Sequence, residues 1–265
     1  MKELMNMKKI FVTIVMACAA ISAMAVELPK QGFGIQIGWA QPILRINDAA
    51  HKDTLNNVIK MKGFKVGVVY DGSFIAGFGT SIGLNYTFGA YSGGWTSRHP
   101  NYGEYPKDRM LITYHQLEAI VDWQYKFEVA KETYLILYTG PTIQCGLDLS
   151  MRIDTKAENP PMSGNITTTY GERFNAYTVD KIDDALDPTH IKENNALKRF
   201  NVTWGLGAGF QYKRYFLRGS YDFGLITPYK NHEFVDASGQ SIDVYTRGRL
   251  DQWSIKLGVY LWYND

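Results

Sequence analysis

Residues 205–225 read "GLGAGFQYKRYFLRGSYDFGL", opening with glycine at alternate positions and an apolar residue after each. A β-strand shows its two faces at period two, so Gly205, Gly207, Gly209 and Gln211 point one way and Leu206, Ala208, Phe210 and Tyr212 the other. The basic pair Lys213-Arg214 interrupts the pattern, which then resumes as a second strand. One face of this hairpin is nearly stripped of side chains and the other is loaded with them. Which face meets water decides the fold.

The same alternation recurs along the chain. It predicts strands at 32–45, 61–70, 76–91, 109–127, 133–149, 199–212, 215–229 and 248–263, with no helical periodicity of useful length. The connections alternate too. Short turns at "DGSFI", "EVAKE" and "KR" join the second strand to the third, the fourth to the fifth and the sixth to the seventh. The other four connections, 46–60, 92–108, 150–198 and 230–247, are long. An even number of strands with tight turns at one end and long loops at the other is the pattern of a transmembrane β-barrel.

One set of faces reads Phe33, Ile35, Ile37, Trp39, then Phe64, Val66, Val68, Tyr70, and continues through Leu117, Val121, Trp123, Leu135, Leu137, Ile143, Leu147 and Leu149. It closes with Trp253, Ile255, Leu257, Val259, Leu261 and Tyr263. The opposite set holds Gly, Ser, Gln and Asn with scattered charges. A soluble lipocalin-like barrel binding an apolar ligand has the same alternation with the sign reversed, but its wet outer face would be rich in Lys and Glu. Here the polar face is glycine-rich, which suits a crowded concave interior. Aromatic residues near the short turns, among them Trp123, Tyr125, Tyr212, Tyr215 and Tyr263, fit an interfacial girdle. The glycine face is therefore expected to be the lumen, and the fold an all-β, eight-stranded antiparallel up-and-down transmembrane barrel.

The N-terminus reads as an export signal. Lys8 and Lys9 precede "IFVTIVMACAAISAMA", whose Ala23-Met24-Ala25 places cleavage before Val26. Removing residues 1–25 takes three lysines and one glutamate from 28 basic and 26 acidic residues, leaving 25 of each. A neutral chain is a poor match for nucleic acid, which calls for a basic excess. Only Cys145 remains in the mature chain, so no intramolecular disulfide can form. No later segment is long and apolar enough for a membrane helix, so a membrane-resident mature protein must be a closed barrel. The chain divides into residues 1–25, a signal peptide, and 26–265, one outer-membrane barrel domain with a long external loop at 150–198.

"GLGAGFQYKRYFLRGSYDFGL", "TGPTIQCGL" and the closing "IKLGVYLWY" resemble the outer-membrane β-barrel domain family of Bacteroidota-type bacteria, the porin-like or PorT-like group. The resemblance is strongest over 133–149 and 199–229 and specifies architecture rather than activity. It implies an outer-membrane location and, for one branch, a part in assembling a protein-secretion system. The 150–198 loop is longer than the family pattern leads one to expect. The expected partners are outer-membrane lipid, the barrel-assembly machinery during insertion, and an extracellular ligand or envelope protein met by the loops.

Eight charged residues fall on the lumen face: Lys65, Lys126, Arg218 and Lys256 against Glu118, Asp122, Asp148 and Asp222. Equal numbers of each sign read as a structural network filling a narrow bore rather than a proton or ion path. Arg218 is expected to pair with Asp222 or another acidic neighbour. Lys126 lies near enough to a turn that solvent exposure is the other reading. His115, Glu118 and Ser92 or Ser97 could suit ester hydrolysis, but no nucleophile motif accompanies them. "DKIDDALD" at 180–187 lacks the glycine and ligand spacing of a calcium loop, and His51, His99, His190 and His232 make no ligand set. No catalytic residue, metal or cofactor is expected. Pro141 removes a ladder hydrogen bond and is expected to mark a bulge. The alternatives to a non-enzymatic recognition barrel are the soluble lipocalin-like barrel, a small porin and a secretion-system accessory.

Overall fold

The computed structural model describes residues 31–47, 58–75, 77–97, 106–158, 166–177, 197–228, 232–235, 241–244 and 247–264. Eight long strands form the wall. They are β1 (Gln31–Asn47), β2 (Lys62–Ile75), β3 (Phe78–Ser92), β4 (Lys107–Ala130), β5 (Thr133–Glu158), β6 (Phe200–Tyr212), β7 (Tyr215–Gly224) and β8 (Arg247–Asn264). Each pairs antiparallel with the next, and β8 pairs with β1 along its whole length, so the sheet closes into an eight-stranded up-and-down barrel. Closure gives nearly every wall residue a ladder partner and leaves no open edge.

The wall is polar inside and apolar outside. Ile37 is 61% exposed, Leu257 58% and Leu206 54%, while Gln36, Lys256 and Gly205 on the opposite face are buried. A soluble barrel would bury that apolar set. This surface is at rest only in hydrocarbon, and the lipocalin-like reading is thereby overturned. Of the glycines of 205–225, Gly205, Gly207 and Gly209 line the bore, lying against Asp222, the Tyr138 ring and Arg218 in turn, while Gly219 faces outward. A side chain at Gly207 would run into the Tyr138 ring, and one at Gly258 into the ring of Phe216. Gly207 and Gly258 each supply the space in which a ring from a neighbouring strand lies against the wall.

The turns are tighter than sequence composition suggests. "DGSFI" is strand, not turn, and the chain reverses at Gly77, whose φ of 88° only glycine adopts freely. Two-residue turns at Lys131-Glu132 and Lys213-Arg214 close the other short connections, with positive φ at Glu132 (58°) and Lys213 (53°). At the opposite end β4 and β5 outrun the ring. There Lys107–Ile112 pairs with Met151–Lys156, flanked by Thr96–Ser97 and by Ile166–Tyr170, so a small sheet rises beyond the barrel.

Bulges break the period-two rule at two informative places. Opposite His115 and Gln116, the extra residue on β5 is Leu147, and beyond it Leu149 turns inward to 2% exposure instead of facing lipid. Opposite Phe33 and Gly34, the extra residue on β8 is Leu261, and beyond it Tyr263 is half-buried, accepting a 2.7 Å bond from Gln211. No bulge stands at Pro141. It lies in register opposite Trp204, and the β4 register is the same before and after it, Ile120 facing Thr142 and Trp123 facing Thr139. The missing N–H costs pairing toward β4 at that level without adding a residue.

Candidate functional site

The bore is filled in layers. Nearest the short turns, Asp71 is the hub. Its carboxylate accepts from Arg218 Nη2 at 2.6 Å, from Lys126 Nζ at 3.0 Å and from the Tyr260 hydroxyl. Arg218 also donates to Ser81 Oγ at 2.8 Å, and its guanidinium stands 4.9 Å from the Phe216 ring. Lys126 reaches Gln211 at 3.1 Å. Nearer the mouth, Lys65 Nζ lies 2.6 Å from Glu118, which also accepts from Thr87 Oγ1 at 2.7 Å and Gln252 Nε2 at 3.0 Å. Between the layers, Lys256 interacts electrostatically with Asp122 and Asp222. Arg218 and Lys256 stand opposite each other on β7 and β8, an arrangement that acids on other strands must offset.

Seven of the eight charged positions expected in the lumen are there, buried: Lys65, Glu118, Asp122, Lys126, Arg218, Asp222 and Lys256. Lys126 is 2% exposed, not in solvent, because β4 continues four residues past it before the turn. Asp148 is not in the bore. The bulge at Leu147 shifts the phase of β5, and Asp148 sits half-buried at the rim, accepting from Ser150 at 2.7 Å and Asn175 at 2.5 Å. The residue sequence reasoning missed is Asp71, which takes the place beside Arg218 that Asp222 was expected to fill. Its signal was parity: counting by twos from Lys65 through Gly67 and Val69 reaches Asp71, had "DG" not read as a turn.

The mouth is closed by different chemistry. Leu44, Met61, Ile112, Tyr114, Leu149 and Leu250 from the wall pack with Ala176, Tyr177 and Leu197 from the two ends of the 150–198 connection. Those ends are tied together and to the barrel: Leu197 N–H donates to Ala176 O at 3.3 Å, Gly146 N–H to Arg199 O at 2.7 Å, and Lys198 N–H to Pro228 O at 2.7 Å. The space left beneath is about 20 Å³, bordered by Tyr114, Tyr177, Gln144 and Asn201, room for about one water. On the sheet beyond the rim, Asp154 lies between Arg109 (2.8 Å) and Arg152 (2.9 Å). The hydrogen bond from Arg109 leads in holding its carboxyl below the ordinary value, with the charge of Arg152 adding to it. Arg109 and Lys156 both stand over Trp95, at 4.7 and 4.5 Å from the ring centre.

The hydrolase constellation does not assemble. His115 faces outward, where the Tyr86 hydroxyl meets its Nδ1 at 2.5 Å and Phe88 packs edge-on at 5.0 Å. Glu118 is on the other side of the wall in the bore. Ser92 pairs opposite Leu111, four ladder positions from His115, roughly 14 Å away at the strand rise. Asn201 and Thr203 are buried bore residues. No group of three or more His, Cys, Asp or Glu suited to a metal occurs among the described residues. Residues 1–25, His51, His99, His190 and the 180–187 stretch lie outside the described residues, while His232 begins a short hairpin with Ser241–Val244.

No family model matches the chain, and no curated protein does. Among solved structures, it is similar to Ail, the attachment invasion locus protein of Yersinia pestis, also solved with the heparin analogue sucrose octasulfate. The identity is 11%, the match covers 88% of this chain and 99% of that one, and the TM-score is 0.35. It is also similar to Neisserial surface protein A, at 10% identity, covering 87% of this chain and 97% of that one, with a TM-score of 0.37.

Proposed function

We propose that this chain is an exported, non-enzymatic integral protein of a Gram-negative outer membrane, acting in recognition or attachment through its long connections. One observation carries the reading. The bore is sealed twice, by the ion-paired layers and by the apolar mouth, while the elaborated parts of the chain all stand at the mouth end. A filled bore leaves the exposed connections as the working surface, and the clamp from Ala176 to Leu197 fixes the base of the 150–198 connection. In this reading both termini are periplasmic, Lys8-Lys9 and Ala23-Met24-Ala25 support export with cleavage before Val26, and outer-membrane lipid and the assembly machinery are the obligatory partners. The Gly–aromatic runs at 133–149 and 199–229 support membership of the Bacteroidota-type, PorT-like barrel group.

The test is excision of residues 178–196 across the short Ala176–Leu197 bond. The excised barrel should keep its heat-dependent gel shift, while expressing cells lose attachment to the surfaces the parent binds. Trypsin on intact parent cells should cut at Lys181 and Lys192 and spare Lys213 and Arg214. Undiminished attachment after excision, or cleavage at 213–214 alone, would overturn the reading.

A further inference from the structure

On the sector of wall formed by β2, β1 and β8, the outer face can be followed row by row through the strand register. Val68, Ile35 and Val259 lie level, then Val66, Ile37 and Leu257, then Phe64, Trp39 and Ile255. The next row toward the mouth holds Gln41 opposite Trp253, with Tyr221 of β7 on the far side of Trp253. On β2 the residue beyond Phe64 on the same face is Lys62. Above this row the wall turns basic. Lys60, of the short strand Val58–Lys60, and Asp251 flank Ile43, and one row further Arg45 stands opposite Arg249. From Phe33 to Ile43 the strand rises about 34 Å, about 26 Å of height at the tilt of such a wall, which matches the apolar band of a membrane barrel. The cations thus stand at headgroup height, in the same columns as the apolar rows beneath them.

The charges there do not balance. Arg45 Nε donates to Asp251 Oδ2 at 2.8 Å and Arg249 Nε lies 2.8 Å from Oδ1, with the carboxylate covered and both guanidinium groups part-exposed. The Tyr221 hydroxyl donates to the same carboxylate at 2.8 Å, and Arg45 Nη2 reaches that hydroxyl at 3.5 Å. The arginine heads are thereby drawn back toward the aromatic row, over the hydrocarbon. Lys60 and Lys62 are exposed and have no ion pair among the described residues. Asp251 is the one acid on the outer face of β1, β2, β7 and β8 among the described residues, so Arg45, Arg249, Lys60 and Lys62 leave a surplus of three positive charges. That surplus, directly over an apolar wall three strands wide, is complementary to an anionic headgroup carried on acyl chains. The geometry points to a binding site for a phosphorylated, multiply acylated saccharide lipid, its phosphate held by the basic cluster and its chains against Ile37, Ile255 and Leu257. The saccharide headgroup rests on the mouth facing outward, because the outer leaflet of a Gram-negative outer membrane is built of such lipids. The site itself is on the lipid face of the wall and not among the connections.

The test is native mass spectrometry of the mature protein released from neutral maltoside micelles, titrated with lipid A carrying one phosphate. One retained lipid with saturable occupancy is expected. Lys60→Gln combined with Lys62→Gln should weaken binding about tenfold, the scale of one charge-assisted contact, while arginine at both positions should preserve it. Both lysines are exposed and make no ion pair, so the heat-dependent gel shift should stay that of the parent. Arg45→Gln, which leaves Asp251 with Arg249 and Tyr221, should weaken binding by a similar factor. Equal affinity in the parent and these glutamine variants overturns the site. Equal affinity for the same lipid stripped of its phosphate overturns the anionic contact, and equal affinity for glucosamine phosphate lacking chains overturns the lipid in favour of a free anion. Equal affinity for phosphatidylglycerol overturns the saccharide. Micelles have no sidedness, so these outcomes judge the site itself, while trypsin on intact cells judges the orientation.

Discussion

The two ends of the bore solve one problem with opposite chemistry. Around Asp71, three strands contribute Arg218, Lys126 and Tyr260 to one carboxylate, and long polar side chains bridge the lumen. Around Leu149, apolar side chains do the filling, and part of the filler comes from a connection rather than the wall. A charged layer tolerates no slippage, because each ion moved off its partner is left unpaired in a low-dielectric space. An apolar cluster tolerates rearrangement at the cost of contacts. The first layer thus locks the register of β2, β4, β7 and β8, while the second can be built from a segment that also serves another purpose outside.

The sharpest break in this comparison is at the hub. Asp71→Asn leaves Arg218 and Lys126 buried without their shared carboxylate, and should cost about 3–5 kcal/mol of folding stability in micelles. Arg218→Met should cost less, since Lys126 still neutralises Asp71. Asp222→Asn should also cost less, since Asp222 interacts with Lys65, Lys256 and Gln252 rather than with Arg218. Denaturant titration followed by tryptophan fluorescence orders the three variants. If Asp222→Asn proves the most damaging, the hub is misassigned.

On the outer face the next effect is set by lipid rather than by partners. Leu257→Arg places a charge where Ile37 and Leu217 flank it on both neighbouring strands, and should cost about 2–4 kcal/mol in a bilayer. The same substitution at Val129, which is 59% exposed beside the turn, should cost far less. Equal costs at the two positions would mean the apolar belt does not lie in hydrocarbon.

Smaller again is the effect of crowding on the glycine face. Gly207→Ala pushes against the Tyr138 ring, whose hydroxyl donates to Gly219 O at 2.9 Å, so the new methyl displaces a ring that is tied down. About 1–3 kcal/mol is expected. At Gly219, on the outer face of the same hairpin opposite Ala208 and Ile255, the nearest atoms to an added methyl are 3.9 and 4.0 Å away, and Gly219→Ala should be close to neutral. Two alanines on one hairpin then separate the ring-covered bore face from the open outer face by their denaturation midpoints.

These contrasts also show what the amino-acid sequence discloses by itself. Strand number, the alternation of turns and loops, and the sidedness of the wall rest on period two and on composition, both visible in a string of letters. So were seven of the buried charges, from Lys65 to Lys256. What escaped was wherever one residue changes the count. Leu147 and Leu261 look like any other leucine of the outer face, yet as bulged residues they turn Leu149 and Tyr263 inward and move Asp148 to the rim. Nothing local marks them, because a bulge is a property of two strands and their register. Asp71 escaped for a different reason: Asp-Gly is common turn chemistry, and only the ladders with β1 and β3 keep it in a strand. The mouth could not be read at all, since Tyr177 and Leu197 meet Leu149 only once the barrel has closed.

The smallest expected effect tests which seal matters. Leu197→Ala opens the apolar mouth by removing side-chain volume next to Tyr177 and Leu149, and should loosen the base of the long connection. It should not create a channel. Below the mouth, Lys65 and Glu118 still meet at 2.6 Å, and Arg218 and Asp71 at 2.6 Å, each pair crossing between strands of an eight-stranded bore that side chains nearly fill. Planar-bilayer recordings of purified Leu197→Ala should therefore match those of the parent, both without a stable open state. Adding Asp71→Asn to Leu197→Ala removes the lower closure as well, and intermittent leak is expected only then. A porin-sized conductance from the parent would show that neither layer seals the bore, and one from Leu197→Ala alone would assign closure to the mouth and leave the charged layers as scaffolding.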